Sequence, residues 1–305
     1  MDFLRFLEGL RTPFLDEVFS LITHLGEETV FILVGLLFFW CLNKKQGYYL
    51  LSIGFIGTVI NQFLKLLFRV PRPWVKDESF TIVESAREEA TGYSFPSGHT
   101  QISVSTFGGI ARGTKQLIVR ILCIAACVLV PLSRMYLGVH TPADVLVSVA
   151  IALVLVFGLY PLIGKAMESK KGMRTLLGAM TGICLLYLGF VLFFPFPADI
   201  DMHNYQSGVK TAWQMLGCIL ALWLTYEIDE KYTHFDTKAV WWAQILKIVL
   251  GLIPILAIKS GLKQPLYALF NDSFAADGIR YFLLTAFAGC IWPMTFKWFA
   301  RLGKK

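Results

Sequence analysis

Apolar runs of about 20 residues recur along this 305-residue chain, separated by short polar or charged loops. A bilayer's hydrocarbon core is about 30 Å thick, and a helix rising about 1.5 Å per residue crosses it in about 20 residues. Within that core each backbone N–H and C=O must find its partner inside the segment, so repeated runs of this length specify packed helices. Nine spans are expected, at residues 28–42, 47–68, 100–110, 116–137, 143–163, 175–194, 211–226, 240–258 and 280–299. The first is short, and the third must start near Ser97 to reach across. The fold class is therefore all-α, a polytopic transmembrane helix bundle. Composition agrees: 56% of the residues are hydrophobic and 16% charged, against about 45–50% and about 25% in soluble domains.

Ahead of the first span, Phe3, Leu4, Leu7 and Leu10, then Phe14, Leu15, Val18, Phe19, Leu21 and Ile22, recur at helical spacing. This segment lacks the basic start, unbroken apolar stretch and small-residue cleavage site of a signal peptide. It predicts an N-terminal amphipathic helix, broken near Pro13, lying on the membrane surface or against the bundle. The six cysteines all fall inside apolar runs and form no CxxC pair, so they are read as packing residues without a disulfide framework or zinc site.

The net charge of +7 does not point to nucleic acid, because the basic residues sit in short loops between apolar runs. Lys44 and Lys45; Arg112 and Lys115; Lys165, Lys170, Lys171 and Arg174; Lys231 and Lys238; and Arg301, Lys304 and Lys305 fall on one side, which is cytoplasmic by loop charge. The opposite side has the loop 195–207, with Asp199 and Asp201 and no Lys or Arg. Lys210, Lys259 and Lys263 are scattered exceptions there, but Arg69, Arg72, Lys76 and Arg87 gather in one outer loop. Basic residues clustered on the translocated side need a local reason, and anion binding is one.

Three blocks reach that same side: Lys65 to Arg72-Pro73, Pro96-Ser97-Gly98-His99, and Ser133-Arg134 through His140 to Asp144. They bring three cations, two histidines, a carboxylate and two helix starts, the parts for handling a phosphate. A phosphoryl transition state spreads negative charge over its oxygens, so positioned cations and donors do most of the work. Arg72 and Arg134 can each fork onto two oxygens, and Lys65 adds a point charge. Ser97 and Gly98 sit where free backbone N–H groups favour an anion. Without a visible metal-carboxylate cluster, a covalent route fits: His140 accepts the phosphoryl group as a phosphoramidate. Asp144, one helical turn on, steadies the imidazole. His99 protonates the leaving oxygen and then deprotonates the attacking water.

The blocks resemble the type 2 phosphatidic acid phosphatase family, the lipid phosphate phosphatases, which share a core with vanadium haloperoxidases and glucose-6-phosphatase. The family pattern, Lys-x6-Arg-Pro, then Pro-Ser-Gly-His, then Ser-Arg-x5-His-x3-Asp, is present in order and without a departure. By that resemblance His140 is the nucleophile, Asp144 its partner and His99 the acid. Lys65, Arg72, Ser97, Gly98 and Arg134 bind phosphate, and no metal or cofactor is needed. The resemblance covers residues 1–165, a catalytic core, and leaves 166–305 as additional helices of unknown role. The implied partners are the bilayer and a membrane lipid phosphate or diphosphate, processed on the extracytoplasmic side of the cell membrane.

Plainer roles compete. Thr141-Pro142-Ala143-Asp144 also reads as a helix start, in which Asp144 is a cap. His99 alone reads as an interfacial histidine, and Lys65 and Arg72 can snorkel. Arg134 near a span end costs about 2.5–3.5 kcal/mol on insertion scales, so a partner is expected. Lys247 is expected to snorkel, and Trp241, Trp242, Trp292 and Trp298 to form an interface belt. Asp199, Asp201 and His203 read as solvated loop polarity. Among functions, a lipid phosphotransferase using the same phosphohistidine, or a non-enzymatic transporter of anionic lipids, stands beside hydrolysis. The lipid's identity and the oligomeric state are not written in the residues.

Overall fold

The computed structural model describes residues 1–87 and 90–303; Lys304 and Lys305 of the basic C-terminal group lie outside the described residues. Among the described residues the chain is helical, without strands. In chain order the helices are α1 (Asp2–Gly9), α2 (Pro13–Thr23), α3 (Glu28–Leu37), α4 (Lys44–Phe68), α5 (Pro73–Lys76), α6 (Gly98–Gly113) and α7 (Leu117–Tyr136). They continue as α8 (Pro142–Ala166), α9 (Lys170–Phe193), α10 (Met202–Ile228), α11 (Trp241–Gly261), α12 (Lys263–Leu269), α13 (Ala275–Ala286) and α14 (Phe296–Phe299).

A helix or helix pair occupies each of the nine expected spans. Among the described residues, six segments are long and apolar enough to cross a membrane by themselves: Lys44–Lys76, Leu117–Tyr136, Pro142–Ala166, Lys170–Phe193, Trp241–Gly261 and Ala275–Phe299. A seventh follows if Pro13–Gly26 and Glu28–Leu42, bent by 51° at their junction, form one broken span. Two expected spans fall outside that set. α6 has 16 residues, roughly 24 Å at 1.5 Å per residue, short of the hydrocarbon thickness. α10 is longer, but its first turns read Met-His-Asn-Tyr-Gln-Ser and carry Lys210. The protein is thus a multi-pass membrane helix bundle.

The chain forms two compact units. The first comprises Met1–Leu33, Leu50–Leu162 and Pro197–Gly208. In it, the N-terminal amphipathic segment is two helices: Thr12 caps α2 by accepting the Leu15 N–H at 3.3 Å, and Pro13 takes the first helical position. α1 buries Leu4 against Phe80 and Ile82, buries Leu7 beside it on the same face, and turns Phe3 and Phe6 outward. Arg5 reaches Asp77 at 2.7 Å and Glu8 accepts the Thr81 N–H at 2.9 Å, pinning α1 to the loop that follows α5. α6 packs along α7, and α2 and the turn His24–Gly26 also pack on α7. On α7 and α8, Ile118, Leu122, Val128, Leu146, Val154 and Phe157 are exposed. Apolar surface of that extent on a hydrophobic helix is a lipid-facing surface.

The second unit comprises Val34–Tyr49, Ile163–Phe196 and Val209–Lys305. Several of its polar residues pair inside it. Lys44 reaches Asp229 at 2.6 Å, and Trp40 donates to the Ala288 carbonyl at 2.9 Å. Two expectations change here. Lys247 does not snorkel: it is fully buried, its ammonium donating to the Trp40 and Thr237 carbonyls at 3.1 and 3.2 Å above the Phe296 ring. Carbonyls released where helices end near it satisfy the charge in place of water. Trp292 does not point freely outward: it is half-buried, its indole donating to the Lys247 carbonyl at 3.2 Å and stacking on Phe287. Trp241 and Trp298 do face outward.

Candidate active site

The expected site residues all lie in the first unit, at the ends of α4, α6, α7 and α8. The turn between α7 and α8 sets His140. Ser133 and Arg134 close the last turn of α7, and the Arg134 carbonyl accepts from both Val139 N–H, at 3.2 Å, and His140 N–H, at 3.3 Å. That tight reversal passes through Gly138 at φ +82°, where a Cβ would stand 2.6 Å from Arg11 Nη2 and 3.0 Å from Phe80. Glycine alone takes this backbone without strain or collision.

His140 is 1% exposed. Its Nδ1 faces Asp144 Oδ2 at 3.5 Å, and its Nε2 meets Arg72 Nη1 at 2.9 Å. Arg72 in turn donates to the carbonyls of Thr91, Gly92 and Val139, at 2.8, 3.2 and 3.0 Å. The guanidinium is thereby held beside the imidazole by backbone carbonyls. Lys65 is buried and donates to the Tyr93 carbonyl. Arg134 is fully buried and donates to Thr23 Oγ1 at 2.7 Å.

Asp144 is both cap and neighbour of the histidine. Its Oδ2 accepts from Thr141 N–H at 2.7 Å and from Ser94 Oγ–H at 2.6 Å, and the Thr141 hydroxyl accepts the Asp144 N–H at 3.3 Å. The capping role and the contact with His140 therefore coexist in one carboxylate. The Asp144 carbonyl also accepts the Ser97 N–H at 3.2 Å, which ties the start of α8 to the start of α6. Ser97 caps α6 by accepting the Thr100 N–H at 3.4 Å, which leaves its hydroxyl hydrogen able to donate. Gly98 is the first residue of α6. His99 follows, against the turn at Gly26, where an added Cβ would lie 2.9 Å from the His99 Cβ. Both histidines are thus held at one end of the bundle, His99 two residues from the strap that joins α6 to Asp144.

Burial, then the positive charge of Arg72, hold His140 well below the ordinary histidine value of 6.5; hydrogen bonding to Asp144 opposes this, and Arg134 and Lys65 add to it. The imidazole is therefore neutral, with a lone pair, at neutral pH. A base with a depressed pKa keeps that form further into acid. If His140 must be unprotonated to react, the acid limb of kcat/KM, corrected for substrate ionisation, is expected below pH 6.5. A limb above that value would show a different ionisation in control.

Three contributors escaped the sequence. Ser94 and Thr23 are ordinary hydroxyl residues with no spacing signal, and the carbonyls of 91–93 have no residue identity at all. The arrangement can fix an anion against a neutral imidazole backed by a carboxylate.

Residues 45–168 match the PAP2 superfamily. Phosphatidylglycerophosphatase B of Bacillus subtilis (strain 168) is 30% identical over 161 residues, 48% of this chain and 75% of that protein. The chain belongs to the PAP2 superfamily. The PAP2 match contains Lys65, Arg72, Ser97, Gly98, His99, Arg134, His140 and Asp144. Two further relatives are similar over shorter shares of their length. A probable sphingosine-1-phosphate phosphatase of Dictyostelium discoideum is 26% identical over 236 residues, 72% of this chain and 56% of that protein. The undecaprenyl-diphosphatase BcrC of Bacillus subtilis (strain 168) is 30% identical over 115 residues, 38% of this chain and 56% of that protein. Residues 213–305, which lie outside the resemblance seen in the motifs, match the PAP2 superfamily phosphatase transmembrane extension. No solved structure matches the chain.

Proposed function

We propose that this PAP2 phosphatase hydrolyses a lipid phosphate or lipid diphosphate through a phosphohistidine at His140, at the extracytoplasmic face of the cell membrane. The single observation that carries this is the contact of His140 Nε2 with Arg72 Nη1 at 2.9 Å, with Asp144 Oδ2 at 3.5 Å behind Nδ1. Nε2 is the atom that meets the phosphorus; the Arg72 Nη1–H that donates to its lone pair in the free protein passes to a phosphoryl oxygen as the substrate enters. Attack by Nε2 forms the N–P bond as the P–O bond to the lipid breaks. His99 gives its proton to the leaving oxygen. His99 then takes a proton from water, whose oxygen attacks phosphorus and returns His140 and inorganic phosphate. Asp144 balances the positive charge that builds on the imidazole in each step. Lys65, Ser97, Gly98 and Arg134 complete the phosphate cradle.

Supporting a lipid substrate are the lipid-facing helices and the names of the relatives, which act on phosphatidylglycerophosphate, a sphingoid phosphate and an undecaprenyl diphosphate. The basic loops of the opposite side support the outer placement. Residues 1–165 form the catalytic core in this proposal, and 166–305 the added transmembrane helices. The test is phosphate release by the purified protein from a panel of these lipid classes in mixed micelles, with excess chelator throughout. Release of inorganic phosphate from at least one member, unchanged by chelator, is the expected result. Chelator-sensitive release would count against the histidine route, and phosphorylation of an added acceptor without free phosphate would make the protein a phosphotransferase.

A further inference from the structure

α4 carries a buried amide that no step above employs. Asn61 lies four residues before Lys65, one turn along the same face of α4. It is 2% exposed, and neither its Oδ1 nor its Nδ2 has a hydrogen-bond partner. Its Oδ1 stands 3.8 Å from the point where a Cβ on Gly98 would lie, so the amide abuts the first residue of α6. One turn deeper the same two helices meet again: a Cβ on Gly57 would fall within 1.8 Å of the Gln101 amide nitrogen. That deeper amide is employed at its nitrogen, since Gln101 Nε2 donates to Ser105 Oγ at 3.0 Å while only its oxygen is unmet. The unused one is Asn61, at the level of the phosphate cradle.

Buried amides are almost always hydrogen-bonded, because leaving both ends unmet costs the desolvation of each. Here the cost is borne between a lysine and a helix N-terminus, two features that attract an anion. We propose that Asn61 is a further ligand of the phosphoryl group, its Nδ2–H donating to a non-bridging oxygen held between Lys65 and the start of α6. An amide suits this place. It donates without adding a fourth positive charge beside His140, which would lower the imidazole's basicity further. This inference rests on the phosphate site proposed above.

The probe is orthovanadate, which mimics the trigonal-bipyramidal phosphoryl group. Purified wild-type protein and Asn61→Leu are compared for the vanadate concentration that half-protects against thermal unfolding in detergent, and for phosphate release. Leucine fills the same space without polar atoms, so the melting midpoint without vanadate is expected to stay or rise. Vanadate protection and kcat/KM are each expected to weaken at least about tenfold, the scale of one hydrogen bond to a charged group. Asn61→Ala, which cannot overpack, gives the same comparison if the leucine protein does not fold. Wild-type vanadate affinity and wild-type kcat/KM in the variant would overturn the assignment. If the wild type is protected by vanadate but hydrolyses no lipid tested, hydrolysis as the function fails while the vanadate comparison still decides Asn61. Absence of vanadate protection in the wild type overturns both.

Discussion

A His140→Ala protein is expected to release phosphate from its lipid substrate at least about ten-thousand-fold more slowly than the wild type, the scale of removing a covalent nucleophile. The substitution is a clean one. Arg72, which loses the imidazole, keeps its bonds to the Thr91, Gly92 and Val139 carbonyls, and the Arg134 carbonyl still receives the N–H of residue 140. The turn is therefore expected to survive, with a melting midpoint close to wild type. Rapid acid–base quenching of a reaction on radiolabelled substrate gives the companion measurement. The wild type is expected to retain label that survives alkali and is lost in acid, as a phosphoramidate is, and the variant to retain none. A variant that keeps more than about one percent of the activity would show that phosphorus is transferred without this imidazole.

How far the residues alone disclose this site depends on what each part is made of. His140, Arg72 and Lys65 announce themselves because charge and imidazole are costly beside a bilayer, and their gathering at span ends on one side needs a cause. The helix starts were visible too, since Ser97 and Thr141-Pro142 have capping chemistry that is local in sequence. What stayed hidden is contributed by backbone or by ordinary hydroxyls. The carbonyls of 91–93 orient Arg72 and Lys65, and any residue there offers the same oxygen. Thr23 meets Arg134 from 111 positions away on a helix read only as amphipathic. In the fold, the apolar runs located the helices but not how each charge inside them would be satisfied. Lys247 has a stem long enough to snorkel, and only the convergence of Trp40 and Thr237 carbonyls around it keeps it inside.

Asp144→Asn is expected to lower kcat about a thousandfold or more while leaving the fold nearly untouched, and the pairing of those two results separates catalysis from capping. Asp144 Oδ2 receives the Thr141 N–H at 2.7 Å and the Ser94 hydroxyl at 2.6 Å. An asparagine carbonyl oxygen in the same place accepts both, so the start of α8 remains closed and the melting midpoint changes little. What it lacks is the negative charge, 3.5 Å behind Nδ1, that offsets the imidazolium formed during attack. The carboxylate opposes the downward pull of burial and of Arg72 on His140, so without its charge the acid limb of kcat/KM is expected to move to still lower pH. Asp144→Ala removes the cap as well, and its stability is expected to fall by about 0.5–2 kcal/mol in addition. Should Asp144→Asn turn over like the wild type while Asp144→Ala loses only stability, the carboxylate serves the helix and not the histidine. The charge on His140 in the transition state would then have to be balanced by the oxygens of the transferring phosphoryl group alone, beside three cations that oppose it.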